Sequence, residues 1–112
     1  MDWMYNNSKI TKVSQFPINT FGFVYRIRHI PSNKAYIGKK VLVHHRKHLK
    51  LLVESEPPEH FERYIMKVAT TKKLLTYYET QYQFLYRVLE KPDDFFNDNI
   101  LGKFFKKDFD PQ

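Results

Sequence analysis

The stretch GFVYRIRHIPSNKAYIGKKVLV, residues 22–43, decides the fold. In its first part, Gly22–Ile30, apolar and basic side chains alternate with a period of two, which is typical of a strand with one apolar face, although Val24 does not fit that face. The segment 31–34, PSNK, has the residue types of a tight turn. Ala35–Val43 is again rich in β-branched and aromatic residues. The stretch therefore predicts a β-hairpin.

Two further elements are predicted downstream of the hairpin, on either side of a proline pair. Residues 44–54 have the apolar spacing of a short helix, which Pro57-Pro58 ends. Phe61–Val68 predicts a third strand, in which the charged residues Arg63, Lys67 and Glu62 alternate well enough with Tyr64, Met66 and Val68.

A long helix is predicted from Lys72 to about Glu90, with Thr70 or Thr71 as its N-cap and Pro92 beyond its end. Apolar residues recur along it at helical spacing and form one continuous stripe of five residues. These are Leu74, Tyr78, Tyr82, Leu85 and Leu89.

The predicted order β-β-α-β-α indicates a small α+β domain, a three-stranded antiparallel sheet flanked by helices. We expect residues 1–20 to form an irregular N-terminal arm whose apolar side chains pack on the core. Residues 21–105 form the domain, and residues 106–112 form a C-terminal tail. With 112 residues the chain has no room for a second core of ordinary size.

Charge is distributed unevenly along the chain. Its 112 residues carry 19 Lys and Arg against 12 Asp and Glu, a net charge of +7. Between Arg26 and Lys50 there are eight Lys or Arg residues and no acidic residue. A charge run is often only a solvated face, but like charges at this density repel one another and favour a polyanionic partner, most often nucleic acid.

Composition excludes several classes of protein. The chain has no Cys, which rules out disulfides, thiolate zinc sites and a Cys nucleophile. No apolar run approaches the roughly 18 residues of a membrane span, and Met1–Tyr5 lacks the profile of a signal peptide. We therefore expect a cytoplasmic protein without a membrane partner.

Two tyrosines within the basic half are candidates for chemistry. Tyr25 and Tyr36 lie eleven residues apart across the predicted turn, so that hairpin pairing would bring them near one another. Paired tyrosines on a hairpin are most often cross-strand packing. Further residues around the pair must therefore decide whether it belongs to a site.

The arrangement resembles the GIY-YIG nuclease family. Tyr36-Ile37-Gly38 is the second half of that family's motif, and Phe23-Val24-Tyr25 is a variant of the first half. Further features follow in the family's order: a basic helix, a third strand, a helix with an acidic residue, and an Asn after an aromatic. The resemblance covers residues 21–105 and is closest to small phage-type members, which would place the protein in a bacterial host cell.

The resemblance implies a metal-dependent endonuclease site built on Tyr25, Tyr36, Arg46, Glu79 and Asn97. Glu79 would be the ligand of Mg²⁺ or Mn²⁺, and a single carboxylate suits Mg²⁺ because that ion keeps several waters. Arg46 would clamp the scissile phosphate through its planar fork. Tyr25 would orient or deprotonate the attacking water, acting as a base only if nearby cations lower its pKa. Tyr36 would hydrogen-bond the phosphate or the water chain.

Some positions of this site have close alternatives. Asn97 would fix the Glu79 region or a phosphate oxygen, and Asn99 is nearly as good a candidate. Only 22 residues separate Gly38 from Phe61, fewer than in many small phage-type relatives, so Arg63 or Lys47 could replace Arg46. His45 or His48 would assist proton transfer beside Arg46.

The expected partner is DNA, most often duplex, bound through its backbone with low intrinsic sequence specificity. A homodimer or a partner protein would supply any specificity. The expected nucleic-acid-binding residues lie on the hairpin and the basic helix: Arg26, Arg28, Lys34, Lys39, Lys40, Lys47 and Lys50.

Two competing functions remain open at this stage. One is a GIY-YIG-like protein that binds nucleic acid and has lost or weakened cleavage because the segment after Gly38 is short. The other is a phage interaction or inhibitor protein that acts on a host factor.

Overall fold

A computed structural model describes residues 3–42 and 58–109 of the chain. These residues form an α+β fold, which confirms the predicted class. The helix expected over residues 44–54 lies outside the described residues. The five longer strands are β1 (Trp3–Tyr5), β2 (Ser8–Ile10), β3 (Gly22–His29), β4 (Lys34–Val41) and β5 (Phe61–Ala69). They are followed by helix α1 (Lys72–Leu85) and by a small hairpin of β6 (Asn99–Ile100) and β7 (Phe104–Phe105), and short 3₁₀ turns occupy Val13–Gln15, Pro58–His60 and Lys106–Phe109.

The main sheet has five strands in the order β2-β1-β5-β3-β4, so the prediction of three strands was wrong. The central antiparallel strands β5, β3 and β4 are the three that the sequence indicated. The additional strands come from the segment expected to be an irregular arm. Asn6 and Asn7 have φ values of 50° and 65° and connect β1 to β2 as a two-residue turn of type I′. β1 then pairs with β5 in parallel.

The β3–β4 hairpin forms as predicted. Its turn closes where the Asn33 N–H donates to the carbonyl oxygen of His29 at 2.8 Å, and Asn33 has a φ of 58°, a conformation that Asn tolerates well. The register places Tyr25 opposite Gly38 and Ile27 opposite Tyr36. Tyr25, Gly38 and Tyr36 therefore share one face of the sheet.

Strand β3 is buried on both faces, which corrects the expectation of one apolar face. Phe23, Tyr25 and Ile27 pack in a cluster with Trp3 and other residues of the N-terminal segment. Val24, which did not fit that face, is fully buried on the other side, in the cluster that contains Leu75 of α1. A strand covered on both faces needs apolar residues at odd and even positions.

The alternation of β5 has the opposite phase from the prediction. Phe61, Arg63 and Ile65 are buried, whereas Tyr64 and Met66 are only half-buried. Arg63 is 1% exposed, and its guanidinium carbon lies 5.9 Å from the ring centre of Phe61. A charged side chain is rarely buried this completely. The prediction set Arg63 apart from Tyr64 and Met66 as a charged position, and its burial therefore reverses the predicted alternation.

Helix α1 begins as predicted and ends earlier. The Thr71 hydroxyl caps it by accepting from the Leu74 N–H at 3.1 Å. It ends at Leu85 rather than near Glu90, because Arg87 has a φ of 56° and the Val88 N–H turns back to the Gln83 carbonyl at 3.2 Å. This is a Schellman-type closure with Arg in the place that Gly usually takes, so the residue type at position 87 does not predict the helix end.

The buried face of α1 is also rotated from the predicted stripe. Leu74 and Leu85 of that stripe are exposed, whereas Tyr78, Tyr82 and Leu89 pack in or against the core as predicted. Leu75 and Gln83, which lie outside the stripe, are buried. Residues 75, 79 and 83 follow one another at i, i+4 and i+8, and therefore lie on one side of the helix. This rotation turns Glu79 from a flanking position towards the sheet.

Strand β4 is the edge of the main sheet, and the chain returns to cover it. The Ala35 N–H donates to the carbonyl oxygen of Asp94 at 2.8 Å, and the Phe96 N–H donates to the carbonyl oxygen of Ala35 at 2.7 Å. Residues 94–97 thus run beside the edge with Phe95 bridged in parallel to Ala35. This return brings Asn97 beside the hairpin.

Candidate nuclease site

Tyr25 and Tyr36 meet on one face of the hairpin, with ring centres 6.2 Å apart. Tyr25 is 7% exposed and also contacts the Trp3 ring edge-on, at a centroid distance of 5.4 Å. Tyr36, on the edge strand, is 41% exposed. The buried ring therefore supports the accessible one. The structure brings the pair together, and a catalytic role for either ring remains a prediction.

Gly38 makes room for both rings. A Cβ atom at this position would lie 2.7 Å from the Tyr25 hydroxyl oxygen and 2.7 Å from a ring carbon of Tyr36. Any side chain would displace one of them, because non-bonded carbon atoms prefer a separation of roughly 3.5–4.0 Å. The close approach explains why a glycine follows Tyr36-Ile37 at this point of the edge strand.

Both phenols are held in their neutral form at ordinary pH. Burial raises the pKa of Tyr25 far above its ordinary value, and the nearby Tyr36 and Glu79 raise it further. Burial also raises the pKa of Tyr36, followed by the charges of Glu79 and Asp98. A phenol in this state donates a hydrogen bond rather than accepting a proton.

Glu79 points from α1 towards the edge strand, where it approaches Lys39. The Lys39 Nζ lies 3.7 Å from the Glu79 Oε1 and also donates to the Thr76 Oγ1 at 2.8 Å. Burial raises the pKa of the Glu79 carboxyl, while the charge and hydrogen bonding of Lys39 lower it less strongly. The carboxylate is therefore incompletely compensated by its protein surroundings.

Tyr36, Lys39 and Glu79 line one pocket of about 480 Å³ between β4, α1 and the segment that follows the helix. Tyr25 does not line this pocket but lies directly behind Tyr36. The remaining lining residues come from the second half of α1 and from the C-terminal segment. They are Gln83, Phe96, Asn97, Asp98, Asn99, Leu101 and Gly102.

Two buried amide side chains connect the C-terminal segment and α1 to the edge strand β4. The Asn97 Oδ1 accepts from the Ile37 N–H at 3.1 Å, and the Asn97 Nδ2 donates to the Ile37 carbonyl oxygen at 2.9 Å. The Gln83 Nε2 donates to the same carbonyl oxygen at 3.0 Å. Together they satisfy the outward-facing backbone groups of Ile37, in the centre of the Tyr36-Ile37-Gly38 motif.

The two asparagine candidates therefore occupy different positions. Asn97 is 2% exposed and its amide is committed to the backbone, which makes it a positioning residue. Asn99 is exposed, and its Oδ1 accepts from the Gly102 N–H at 2.9 Å. Gln83 was missed by the sequence analysis. Its signal was its i+4 spacing from Glu79 on a helix face otherwise occupied by Leu75.

The basic residues of the hairpin are divided between protein contacts and solvent. Arg28 forms an ion pair with Glu62 and donates to the Asn33 Oδ1 at 2.9 Å. The Lys34 Nζ lies 4.6 Å from the ring centre of Phe96. Arg26 and Lys40 are half-buried in the sheet. Of the predicted phosphate contacts on β3 and β4, Lys39 lines the pocket.

Several predicted residues lie outside the described ranges. These are Arg46, Lys47, Lys50, His45 and His48. Arg63, considered as a replacement for Arg46, lies buried in β5 and does not line the pocket.

The residues present fit one divalent cation at Glu79. The described residues contain no group of three or more His, Cys, Asp or Glu that would form an all-protein cage. Mg²⁺ is usually held by one or two carboxylates while keeping several waters. Glu79 matches that donor set, because it is a single carboxylate whose pKa is raised by burial. The open pocket that it lines has further amide and carboxylate oxygens on its walls.

Comparison with known proteins identifies the family. The family model described as "Putative endonuclease segE, GIY-YIG domain" matches residues 3–56 and 46–100. The chain therefore belongs to the GIY-YIG nuclease superfamily, as the resemblance indicated, and its domain is of the nuclease type. No curated protein and no solved structure matches the chain significantly. No helix in the described part of the chain is long and apolar enough to cross a membrane.

The two matched segments overlap at residues 46–56. The overlap falls in the short connection between Gly38 and Phe61, and it begins at Arg46. The role of Arg46 in the candidate site stays a prediction.

Proposed function

We propose that this protein is a divalent-metal-dependent DNA endonuclease that hydrolyses phosphodiester bonds with low intrinsic sequence specificity. The observation that carries the proposal is the pocket that Tyr36, Lys39 and Glu79 line together, with Tyr25 packed behind Tyr36. The superfamily to which the chain belongs supplies the nucleic-acid substrate class.

In this proposal Glu79 would hold Mg²⁺ or Mn²⁺ in the pocket that it lines. When bound, such a cation supplies positive charge that offsets the charge developing on phosphate oxygens. Lys39, released from Glu79 by the phosphate, contributes a second positive charge in the same pocket. Arg46 would clamp the scissile phosphate, as the family resemblance implies.

The tyrosines act as hydrogen-bond donors. Tyr36 is accessible from the pocket and donates its hydroxyl to a phosphate oxygen or to the attacking water. Tyr25 orients this arrangement from behind with a neutral phenol, since burial raises its pKa. In the reaction the water oxygen bonds to phosphorus and gives up a proton to solvent, the bond to the leaving ester oxygen breaks, and that oxygen takes up a proton from solvent, so that one water is consumed.

Low sequence specificity follows from the kind of contacts available. Of the described basic residues of the hairpin, Lys39 lines the pocket and would contact a phosphate rather than read a base, and phosphate contacts carry no sequence information directly. Binding should therefore weaken steeply with salt.

A plasmid-nicking assay tests the proposal. Purified protein should nick supercoiled DNA when Mg²⁺ or Mn²⁺ is added and should not do so in excess chelator. Glu79→Ala should abolish nicking while helical circular dichroism is retained. Glu90→Ala is the matched control, because Glu90 is an exposed carboxylate paired with Arg87. Absence of nicking on varied DNA substrates with either metal would refute the enzymatic function.

A second candidate function is a nucleic-acid-binding protein without cleavage. The observation that favours it is the Lys39–Glu79 contact, which puts a protein cation where a metal would bind. In such a protein Glu79→Ala would leave DNA binding unchanged or strengthen it by removing a negative charge. Salt-sensitive binding together with failure of the nicking assay would identify this function.

A further inference from the structure

A second concave surface adjoins the pocket. A groove of about 700 Å³ runs along the first half of α1 and is closed on one side by Leu101 of the β6–β7 turn. Its helical wall comprises Lys72, Lys73, Thr76, Tyr77 and Thr80. Nothing in the phosphodiester chemistry above uses this surface.

The groove and the pocket are continuous. Leu101 lines both of them. Thr76 lines the groove, and its hydroxyl accepts from the Lys39 Nζ, which lies in the pocket. A nucleic-acid strand that leaves the pocket past Lys39 would therefore meet the groove at Thr76.

Leu101 sits in a conformation that a leucine adopts at a cost. Its φ is +59° and that of Gly102 is +65°, so both central residues of the turn are left-handed. Asn, Asp or Gly takes these positions readily, whereas for other L-residues the left-handed region costs roughly 1–2 kcal/mol. The side chain is still 50% exposed, so burial within the protein does not offset that cost. An apolar side chain held this way at the junction of two cavities indicates a contact with something outside the chain.

The groove combines an accessible ring with positive charge. Tyr77 is 60% exposed. Its ring contacts the ring of Tyr78 edge-on, at a centroid distance of 5.7 Å, and this arrangement leaves a face of the Tyr77 ring open. Lys73 precedes Tyr77 by four residues and so stands beside it on the helix surface. Lys72 and Lys73 form no ion pair with the described residues, and no acidic residue lines the groove.

We propose that this groove binds a single-stranded segment of the DNA substrate next to the scissile phosphate, with one base stacked on Tyr77 and phosphates at Lys72 and Lys73. This inference rests on the proposed function. Base faces are open to stacking only when a strand is unpaired, and aromatic rings beside basic residues are the usual platform for single strands. From Lys72 to Glu79 the helix rises about 10 Å, so a short run of nucleotides can extend from the pocket into the groove.

The test is a binding measurement without metal, so that cleavage does not interfere. Fluorescence anisotropy would compare an oligothymidine with a fully paired hairpin duplex. Tyr77→Ala should weaken single-strand binding by roughly 5- to 150-fold, the range for loss of one base–aromatic stack, and should leave duplex binding near the wild-type value. Phe109→Ala, which removes an exposed ring outside the groove, is the matched control.

The charge contribution is measured separately. Lys72→Gln/Lys73→Gln should reduce the slope of log affinity against log salt concentration for the single strand by about 1.4, at 0.7 per phosphate contact. Lys12→Gln/Lys91→Gln removes the same amount of charge outside the groove. This control should reduce the slope of log affinity against log salt concentration by less. Leu101→Asn should weaken single-strand binding without loss of stability, because Asn accepts a positive φ.

The outcomes separate the two proposals. Unchanged single-strand affinity in both Tyr77→Ala and Lys72→Gln/Lys73→Gln would overturn the groove assignment even if nicking is observed. Loss of self-association in these variants, with DNA binding intact, would make the groove a protein interface and overturn it as well. If nicking fails but the variants weaken single-strand binding as expected, the groove assignment stands and the endonuclease function does not.

Discussion

Gly38 lies so close to Tyr25 that a Cβ atom on the glycine would stand 2.7 Å from the phenolic oxygen. The same atom would stand 2.7 Å from the ring of Tyr36. The close packing of the Tyr25 and Tyr36 rings therefore requires that position 38 of β4 carry no side chain. This contact links the backbone of β4 to the position of both candidate catalytic groups.

Gly38→Ala should destabilise the protein by about 1–3 kcal/mol, the usual cost of forcing a methyl group into a packed site. Part of that cost arises at Tyr36, whose ring can be removed. In a Tyr36→Ala background the same substitution should therefore cost less, a coupling that a double-mutant cycle of urea unfolding measures. Equal costs in both backgrounds would show that Tyr25 alone resists the new methyl group.

Asn97→Ala should destabilise the protein more than Asn99→Ala. The first change leaves the buried Ile37 N–H without its acceptor, and an unsatisfied buried donor costs about 1–3 kcal/mol. The second removes one exposed turn contact to Gly102, for which we expect a loss below about 1 kcal/mol. Urea unfolding of both variants makes the comparison, and equal losses would contradict the assignment of Asn97 to the edge of β4.

Glu79→Gln should stabilise the metal-free protein at neutral pH. Burial raises the pKa of Glu79 in the folded state, so its charged form is disfavoured there relative to the unfolded chain. The resulting loss of folding stability is present above the pKa of Glu79 in the folded state. It disappears as pH falls below the pKa of a Glu in the unfolded chain, about 4.3. The gain in the variant should therefore be seen near pH 7 and vanish below about pH 4.

Glu90→Gln is the control for this pH dependence. The Arg87 guanidinium hydrogen-bonds the exposed Glu90 carboxylate and lowers the pKa of that carboxyl. The charged form of Glu90 therefore favours the folded state, whereas the charged form of Glu79 disfavours it. A loss of stability in Glu79→Gln at neutral pH would mean that the Lys39 contact outweighs burial.

Added Mg²⁺ should raise the stability of the wild-type protein and leave Glu79→Gln unchanged. A ligand that binds only the folded state adds about 2.7 kcal/mol at a roughly hundred-fold excess over its Kd. Thermal or urea unfolding with and without the metal measures this directly and needs no catalytic activity. An equal rise in both proteins would place the cation elsewhere.

Tyr25 should lose its proton later than a free phenol on alkaline titration. Its raised pKa favours the neutral form in the folded state, so the associated stability is complete below about pH 10 and is lost as pH rises above it. Ultraviolet titration should show that Tyr25→Phe removes a late component and that this variant unfolds less readily at high pH. Tyr77→Phe controls for the loss of one phenol.

Local pattern was sufficient to predict the centre of the fold. The hairpin was predictable because the alternation in Gly22–Ile30 and the turn chemistry at 31–34 act within a few residues. The outer strands were missed because three-residue strands carry almost no periodicity. The Asn6-Asn7 pair, whose residues both adopt positive φ, was the one available signal.

The candidate site was predictable only in part, because its parts meet through long-range packing. Tyr25 and Tyr36 could be paired from the hairpin alone. Glu79 came from the family resemblance, since its inward orientation depends on a helix face set by Leu75 and the sheet. Asn97 reaches β4 across 60 positions of sequence. No local pattern indicates that its amide binds Ile37.

The amides of Asn97 and Gln83 have a consequence beyond the pocket. An unpaired edge strand offers its backbone to other chains, which favours intermolecular β-sheet formation. At Ile37 that backbone is occupied by two side chains, and at Ala35 by the returning segment 94–96. Loosening this part of the chain would expose a strand able to recruit further copies. Substitutions at Asn97 should therefore be detected as insoluble protein before they are detected as altered nucleic-acid chemistry.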